Sequence, residues 1–433
     1  MEPIITSLLD SDVYNLTMMN AVRHVAPDAE VEYKFVCRTP GANGILLEYV
    51  APRLREQIDQ LCSLRFISDE LAWLRSGIPC LPSSFVDFSL RGFSLQSSCV
   101  NHGMDEDGAF FLSVRGPWYD TILFPTPLLA IVEELYMQYQ CVQHPEIPDH
   151  LSRNLDEKIE WLKIRLHVTD GGAFSRVLSL TDMGTRRRFS KKWHSMVVER
   201  LSEELGAVFA GTSNMWLARV LGIKAFGTMA HEWIQAFQGM TRFDLSQKCA
   251  LNAWQRVYGG NLGIALSDTL GTDMFLEDFD AHLANAFTGV RHDSGDPLEW
   301  GEQMLEHYEK LGISSSTKTF VFSNSLDFLW MWKIYRYFLP HYHKFCDGEF
   351  PKCGFGIGTF LTNDSIINGK KHRLDIVIKL VSFDNHPVIK ISNDPGKAIC
   401  TSYEYEAYAR EQIKRRKLFG LRRDLFNKDL NLK

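Results

Sequence analysis

Long apolar runs are missing from this sequence: nowhere do about 18 apolar residues follow one another without a charge, so no membrane-spanning helix is expected. Met1 to Asp12 also lacks a basic segment leading into an apolar stretch, which argues against a secretory leader. The expected location is the cytoplasm. Cysteine is sparse and unpatterned. The nine residues, at 37, 62, 80, 99, 141, 249, 346, 353 and 400, include no CxxC pair, which excludes a disulfide framework and reads as reduced thiols. An excess of one charge is missing as well: 47 Lys and Arg against 53 Asp and Glu leave a net charge of -6, which excludes a general nucleic-acid or membrane-surface binder. Any anionic ligand must therefore be gripped by local clusters.

What is present is a large apolar inventory, 45% hydrophobic and 12% aromatic over 433 residues, enough for one big domain and a smaller one. The first 120 or so residues mix helical and strand patterns, with a strand at Val31 to Arg38 and a hairpin around Asp105 to Gly108. A helical stretch from Leu128 to Val142 leads into a different regime. From Leu178 the chain repeats one unit: an apolar run, a polar or small residue, then usually a helix. The seven run ends are Asp182-Met-Gly-Thr-Arg-Arg-Arg188, Gly211-Thr-Ser-Asn214, Gly227-Thr-Met-Ala-His-Glu232, Ser267-Asp-Thr269, Arg291-His-Asp-Ser-Gly-Asp296, Ser323-Asn-Ser325 and Gly356-Ile-Gly-Thr359. Alternating strands and helices imply a parallel sheet, and seven units favour a barrel, whose strand C-termini converge on one cavity. A doubly wound sheet is the alternative. Beyond Thr359, Leu374 to Phe383 and Val388 to Ser392 read as strands around the turn Asp384-Asn-His-Pro387. The basic tail, Lys414-Arg-Arg-Lys417 with Arg422-Arg423, reads as a solvated helix face, a nuclear address being the competing reading.

Four segments carry chemistry. Arg186, Arg187 and Arg188 put three guanidinium groups at a run end before a helix, a grouping suited to carboxylate or phosphate. Thr228 is expected to N-cap the next helix, placing His231 in its first turn, where the dipole favours a neutral, nucleophilic imidazole that could carry a phosphoryl group; a merely hydrogen-bonded histidine is the bland reading. Arg291, Asp293 and Asp296 surround a tight turn, where Asp293 or Asp296 could hold a ribose hydroxyl or a hydrated Mg²⁺; capping of the following helix accounts better for Asp296 than for Asp293. Gly354-Phe-Gly-Ile-Gly-Thr359 lacks the Lys-Ser or Lys-Thr of a P-loop, yet after Ser323 and Asn324 it would offer N–H groups and a hydroxyl to a 5-phosphate. His341, His343, Cys346 and Cys353 could in principle hold zinc, but the turn formers and charges between them read as a surface loop.

In order, Ser7 to Tyr14, Gly184 to Ser190, Gly211 to Asn214, Gly227 to Trp233, Arg291 to Pro297, Phe355 to Thr359 and Ser392 to Lys397 resemble the nicotinate phosphoribosyltransferase family. The resemblance implies an incomplete (β/α) barrel over 126–360 and a mixed α/β funnel-like domain from 1–125, rejoined by 361–433. It implies transfer of phosphoribosyl from phosphoribosyl pyrophosphate to nicotinate in NAD salvage, with Mg²⁺, and with ATP hydrolysis coupled through phosphorylated His231. Nicotinate would lie near Tyr14, Thr228 and Arg291, with Arg186 and Ser213 nearby, while Ser323, Asn324, Gly358 and Thr359 would face phosphoribosyl pyrophosphate. A head-to-tail homodimer is implied, with Asp12 and Tyr14 reaching the partner's site. Two residues depart from the family's pattern: Pro125 stands where Glu is common, and Asn324 where Asp is. A nicotinamide-using relative is the nearest rival, but Gly211 to Asn214 offers no acidic partner for an amide.

Overall fold

The computed structural model describes residues 1–168, 178–338, 352–394 and 398–430. Six short strands form one parallel sheet: β4 (Leu178–Asp182), β5 (Phe209–Thr212), β6 (Ile264–Leu266), β7 (Gly289–His292), β8 (Thr319–Phe322) and β9 (Lys352–Ile357). Their order, β5-β4-β9-β8-β7-β6, sets the last strand beside the first, which settles the choice for a barrel over a doubly wound sheet. The barrel is open between β5 and β6. There the seventh expected unit, Ile223 to Phe226, makes a single parallel bridge, Thr212 to Ala225. Its continuation is stopped at Gly227, where a Cβ would lie 2.8 Å from the Val13 Cβ and 2.9 Å from the Tyr14 nitrogen. The N-terminal segment thus wedges into the gap, and only glycine lets it approach.

A second, antiparallel sheet is built from both chain ends, in the order β13-β12-β1-β3-β2. Its strands are β1 (Glu30–Cys37), β2 (Val100–Met104), β3 (Phe110–Pro117), β12 (Ile376–Phe383) and β13 (His386–Pro387), while β10 (Ile366–Ile367) and β11 (Lys370–Lys371) form a separate small hairpin. The long pairing of β1 with β12 shows how the C-terminal segment rejoins the first. The expected hairpins occur at Asp105 to Gly108 and at Asp384-Asn385, whose φ values of 47° and 61° suit a two-residue primed turn. The second strand of the latter is His386–Pro387, inside the expected turn, and the expected strand Val388 to Ser392 is reduced to an isolated bridge from Lys390 to Ile399. One apolar core runs through both sheets, with Trp118, Trp233 and Trp254 fully buried, and a smaller cluster lies under the helix Tyr403–Leu430.

Expected helix Leu128 to Val142 starts earlier, at Pro125, and runs to Gln143. Pro125 occupies the first helical turn, where its missing N–H has no partner to lose, so this departure from the family's pattern is accommodated. Cys37, Cys62, Cys80, Cys99, Cys141, Cys249 and Cys400 are free thiols. Of the zinc-like group, His341, His343 and Cys346 lie outside the described residues, and Cys353 is buried in β9. The basic run of the C-terminal helix is partly neutralised, since Arg416 pairs with Glu277 at 2.8 Å and Asp278 at 2.6 Å. No helix among the described residues is long and apolar enough to cross a membrane.

Candidate active site

The strand ends of the barrel open into a cavity of about 840 Å³, covered on one side by β1 and β12. Asp12, Tyr14, Arg186, Ser213, Thr228, His231, Arg291, Asp293, Ser323, Gly358 and Thr359 all line it. Asn324 does not; its amide only approaches the Gly295 carbonyl, at 3.5 Å. Asp296 caps the helix Pro297–Lys310, its Oδ1 accepting from the Leu298 and Glu299 nitrogens, and it does not line the cavity.

The three arginines divide their work. Arg188 is fully buried and holds Asp10 through two bonds, at 2.6 and 3.0 Å, and Glu134 at 2.7 Å. Arg187 pairs with Asp375 at 2.9 Å. Arg186 remains 44% exposed at the cavity, with Asp12 3.8 Å away and Tyr14 and Asp293 also acting on its charge. Asp12 in turn accepts from Ser213 Oγ at 2.7 Å and bridges to Asn214. Tyr14 sits in the same wall, its hydroxyl 3.1 Å from Thr126, and burial pushes its phenol up to about 12. Asp12 and Tyr14 therefore line the cavity of their own chain. The cause is local: Val13 N donates to the Ser213 carbonyl, and Met215 N and Trp216 N donate to Ser11 and Leu9, which fastens the N-terminal segment to its own barrel.

His231 opens the helix His231–Met240, but the N-cap is Ala230 and not Thr228, whose hydroxyl instead lies 3.4 Å from the Ile264 carbonyl. His231 Nε2 lies 2.8 Å from Asp293 Oδ2 and 2.8 Å from Lys390 Nζ, and Nδ1 lies 3.1 Å from Thr269 Oγ1. Burial and the Lys390 ammonium pull the imidazole down to about 4, so it is neutral at ordinary pH. Asp293 takes a bond from Ser323 Oγ at 2.8 Å and lies 3.5 Å from Arg291. Burial alone would raise its pKa, yet Arg291, His231 and Lys390 together hold it well below the carboxylate range. Asp268, 1% exposed, accepts from Lys390 at 2.9 Å and Ser294 at 2.5 Å, while its Oδ1 accepts no hydrogen bond and lies 3.6 Å from His231 Nε2. The ligand atoms of His231, Asp268 and Asp293 lie within 4.8 Å of one another.

Sequence reasoning missed Lys379 of β12 and Lys390, and also Arg38, Lys370, Lys371 and Arg373, which line the cavity. Burial, with Lys390 and Arg186 nearby, pulls Lys379 down to about 7. The available signal was a lysine set within the apolar run Ile376 to Phe383, facing the cavity. It also missed Asp394, which accepts from the Gly295 nitrogen at 3.0 Å and latches the Asp293 turn.

The comparisons agree with this geometry. The family model described as "Nicotinate phosphoribosyltransferase (NAPRTase) family" matches residues 178–417, and that of the family's N-terminal domain matches residues 9–133. A nicotinate phosphoribosyltransferase of Xylella fastidiosa (strain 9a5c) is 41% identical over 428 residues, covering 98% of this chain and 100% of that protein. Among solved structures, nicotinate phosphoribosyltransferase from Vibrio cholerae superposes with a TM-score of 0.85 at 38% identity, over 95% of this chain and 94% of that one. A putative nicotinate phosphoribosyltransferase from Saccharomyces cerevisiae gives 0.81 at 30% identity, over 96% and 99%. The chain is a transferase that belongs to the nicotinate phosphoribosyltransferase family.

Proposed function

We propose that this chain transfers phosphoribosyl from phosphoribosyl pyrophosphate to nicotinate, releasing pyrophosphate and forming nicotinate mononucleotide for NAD salvage, with ATP hydrolysis coupled through His231. The observation that carries the reading is one cavity in which a neutral histidine and a depressed carboxylate face Arg186 and Arg291. The pyridine nitrogen is unprotonated at neutral pH and attacks the anomeric carbon as the bond to pyrophosphate breaks, so no general base is required. Positioning and charge stabilisation supply the acceleration. Arg291 and Arg186 hold the nicotinate carboxylate, Ser213 and Thr228 flank the ring, and Tyr14 lies beside it. Gly358 and Thr359, with Ser323, hold the 5-phosphate. Lys379 and Lys390 receive the departing pyrophosphate, and Asp293 steadies the positive charge that develops on the ribose.

Mg²⁺ fits this site: Asp268 keeps a buried oxygen that accepts no hydrogen bond beside Asp293, an oxygen pair suited to a hard cation. Held there, the ion would add positive charge for the pyrophosphate. His231 can take the γ-phosphoryl group of ATP, since its imidazole is neutral and its helix N-terminus favours added negative charge. The test is turnover of nicotinate and phosphoribosyl pyrophosphate with and without ATP, together with trapping of acid-labile phosphate. In His231→Ala, ATP stimulation and phosphate incorporation should vanish while slow ATP-independent transfer persists. Undiminished ATP coupling in that variant would remove His231 from the scheme.

A further inference from the structure

We infer that Glu232 is a positioning residue for His231, fixing the first helical turn against the N-terminal sheet; this rests on the reading of His231 as the coupling nucleophile. The helix His231–Met240 starts with little local support. Ala230 provides no side-chain cap, and its N–H reaches only the Met18 sulfur, at 3.3 Å. The residues leading in, 226–230, have no regular structure. The first-turn N–H groups receive no side-chain cap, and the lead-in is held by Thr17 Oγ1 donating to the Thr228 carbonyl at 2.6 Å. Yet His231 must keep Nε2 within hydrogen-bond reach of both Asp293 and Lys390.

Glu232 supplies the missing constraint. Its Oε1 accepts from the Tyr33 hydroxyl at 2.6 Å and from Trp118 Nε1 at 2.7 Å. Tyr33 comes from β1 and is 1% exposed; Trp118 follows β3 and is fully buried. Trp118 stacks on Trp233 with ring centroids 5.9 Å apart, and Trp233 Nε1 donates to the Ala250 carbonyl at 2.9 Å, so both donors are themselves immobilised within the core. Two donors from different parts of the sheet converge on one oxygen, which fixes the direction of the side chain as well as its reach. His231 is the neighbouring residue, so the orientation of its ring follows. Burial pushes the Glu232 carboxyl up to about 7, in keeping with an acceptor enclosed at the seam.

Four variants of the full-length chain test this. Tyr33→Phe and Trp118→Phe each delete one donor and keep a ring in place. Glu232→Leu removes the acceptor, and Glu232→Gln keeps one. Two quantities are read at fixed pH: the imidazole nitrogen NMR resonances of His231, assigned by their loss in His231→Ala, and the rate of acid-labile phosphate incorporation from γ-labelled ATP per folded molecule. The expected result is shifted His231 resonances and roughly tenfold slower incorporation in the Phe and Leu variants, the size of a lost bond to a charged group, with wild-type values restored in Glu232→Gln. Lowered melting temperature with unmoved resonances and an unchanged rate would show a merely structural anchor and overturn the inference. If Glu232→Leu does not fold, the two Phe variants decide. If the wild-type chain takes up no phosphate, the ATP-coupled reading falls, and the resonances alone then decide whether Glu232 positions His231.

Discussion

At the scale of single residues, neighbours of one type separate into different jobs according to what surrounds them. Arg188 is locked between Asp10 and Glu134 with 1% exposure, whereas Arg186, two positions earlier, faces the cavity. Arg188→Ala would leave two buried carboxylates without their cation and should cost about 3–5 kcal/mol of stability in denaturant unfolding. An Arg188→Ala midpoint equal to wild type would contradict that role. Arg186→Ala should instead leave the melting temperature nearly unchanged, and both Arg186→Ala and Arg291→Ala should raise KM for nicotinate roughly ten- to hundredfold, the value of a charge-assisted bond. Steady-state kinetics at saturating phosphoribosyl pyrophosphate would check this, and an unaltered nicotinate KM in both would dismiss their carboxylate-binding role.

At the scale of elements, the helix Pro125–Gln143 carries a group whose charge opposes folding. Glu133 is fully buried; its Oε1 accepts from Asn363 Nδ2 at 2.9 Å and the Leu374 nitrogen at 3.1 Å, and its Oε2 has no partner. Burial pushes this carboxyl up to about 8, so between the ordinary glutamate value and that pH the folded chain keeps a proton that the unfolded chain releases. Its stabilising contribution is complete below the unfolded pKa, about 4.3, and is lost as pH rises toward 8. The melting temperature of wild type relative to Glu133→Gln should therefore decline steadily across that range in calorimetry; a constant difference would refute a raised Glu133. Element by element, the sequence was legible where an apolar run stops at a polar residue: six of the seven expected units are strands. The seventh failed because its continuation is blocked by Val13 and Tyr14, a tertiary contact with no local signal. The cap of the His231 helix was misread for a similar reason, since that turn is anchored by distant Tyr33 and Trp118 and not by Thr228. Lys390 meets His231 across 159 positions of sequence, a separation no motif spans.

For the whole molecule, the two chain ends form one sheet that covers the mouth of the barrel, and Asp12 and Tyr14 line the same cavity as the strand ends. The central claim concerns the carboxylate. Arg186 and Arg291 are among five arginines that line the cavity, where Ser213 presents a hydroxyl that donates to Asp12. The most direct measurement is pyrophosphate release with nicotinate or nicotinamide as the acceptor, at equal concentrations of phosphoribosyl pyrophosphate. The predicted result is a kcat/KM for nicotinate at least about a hundredfold above that for nicotinamide, the discrimination expected when the cations of the site would be left unpaired by the amide. Equal values, or a preference for nicotinamide, would contradict it.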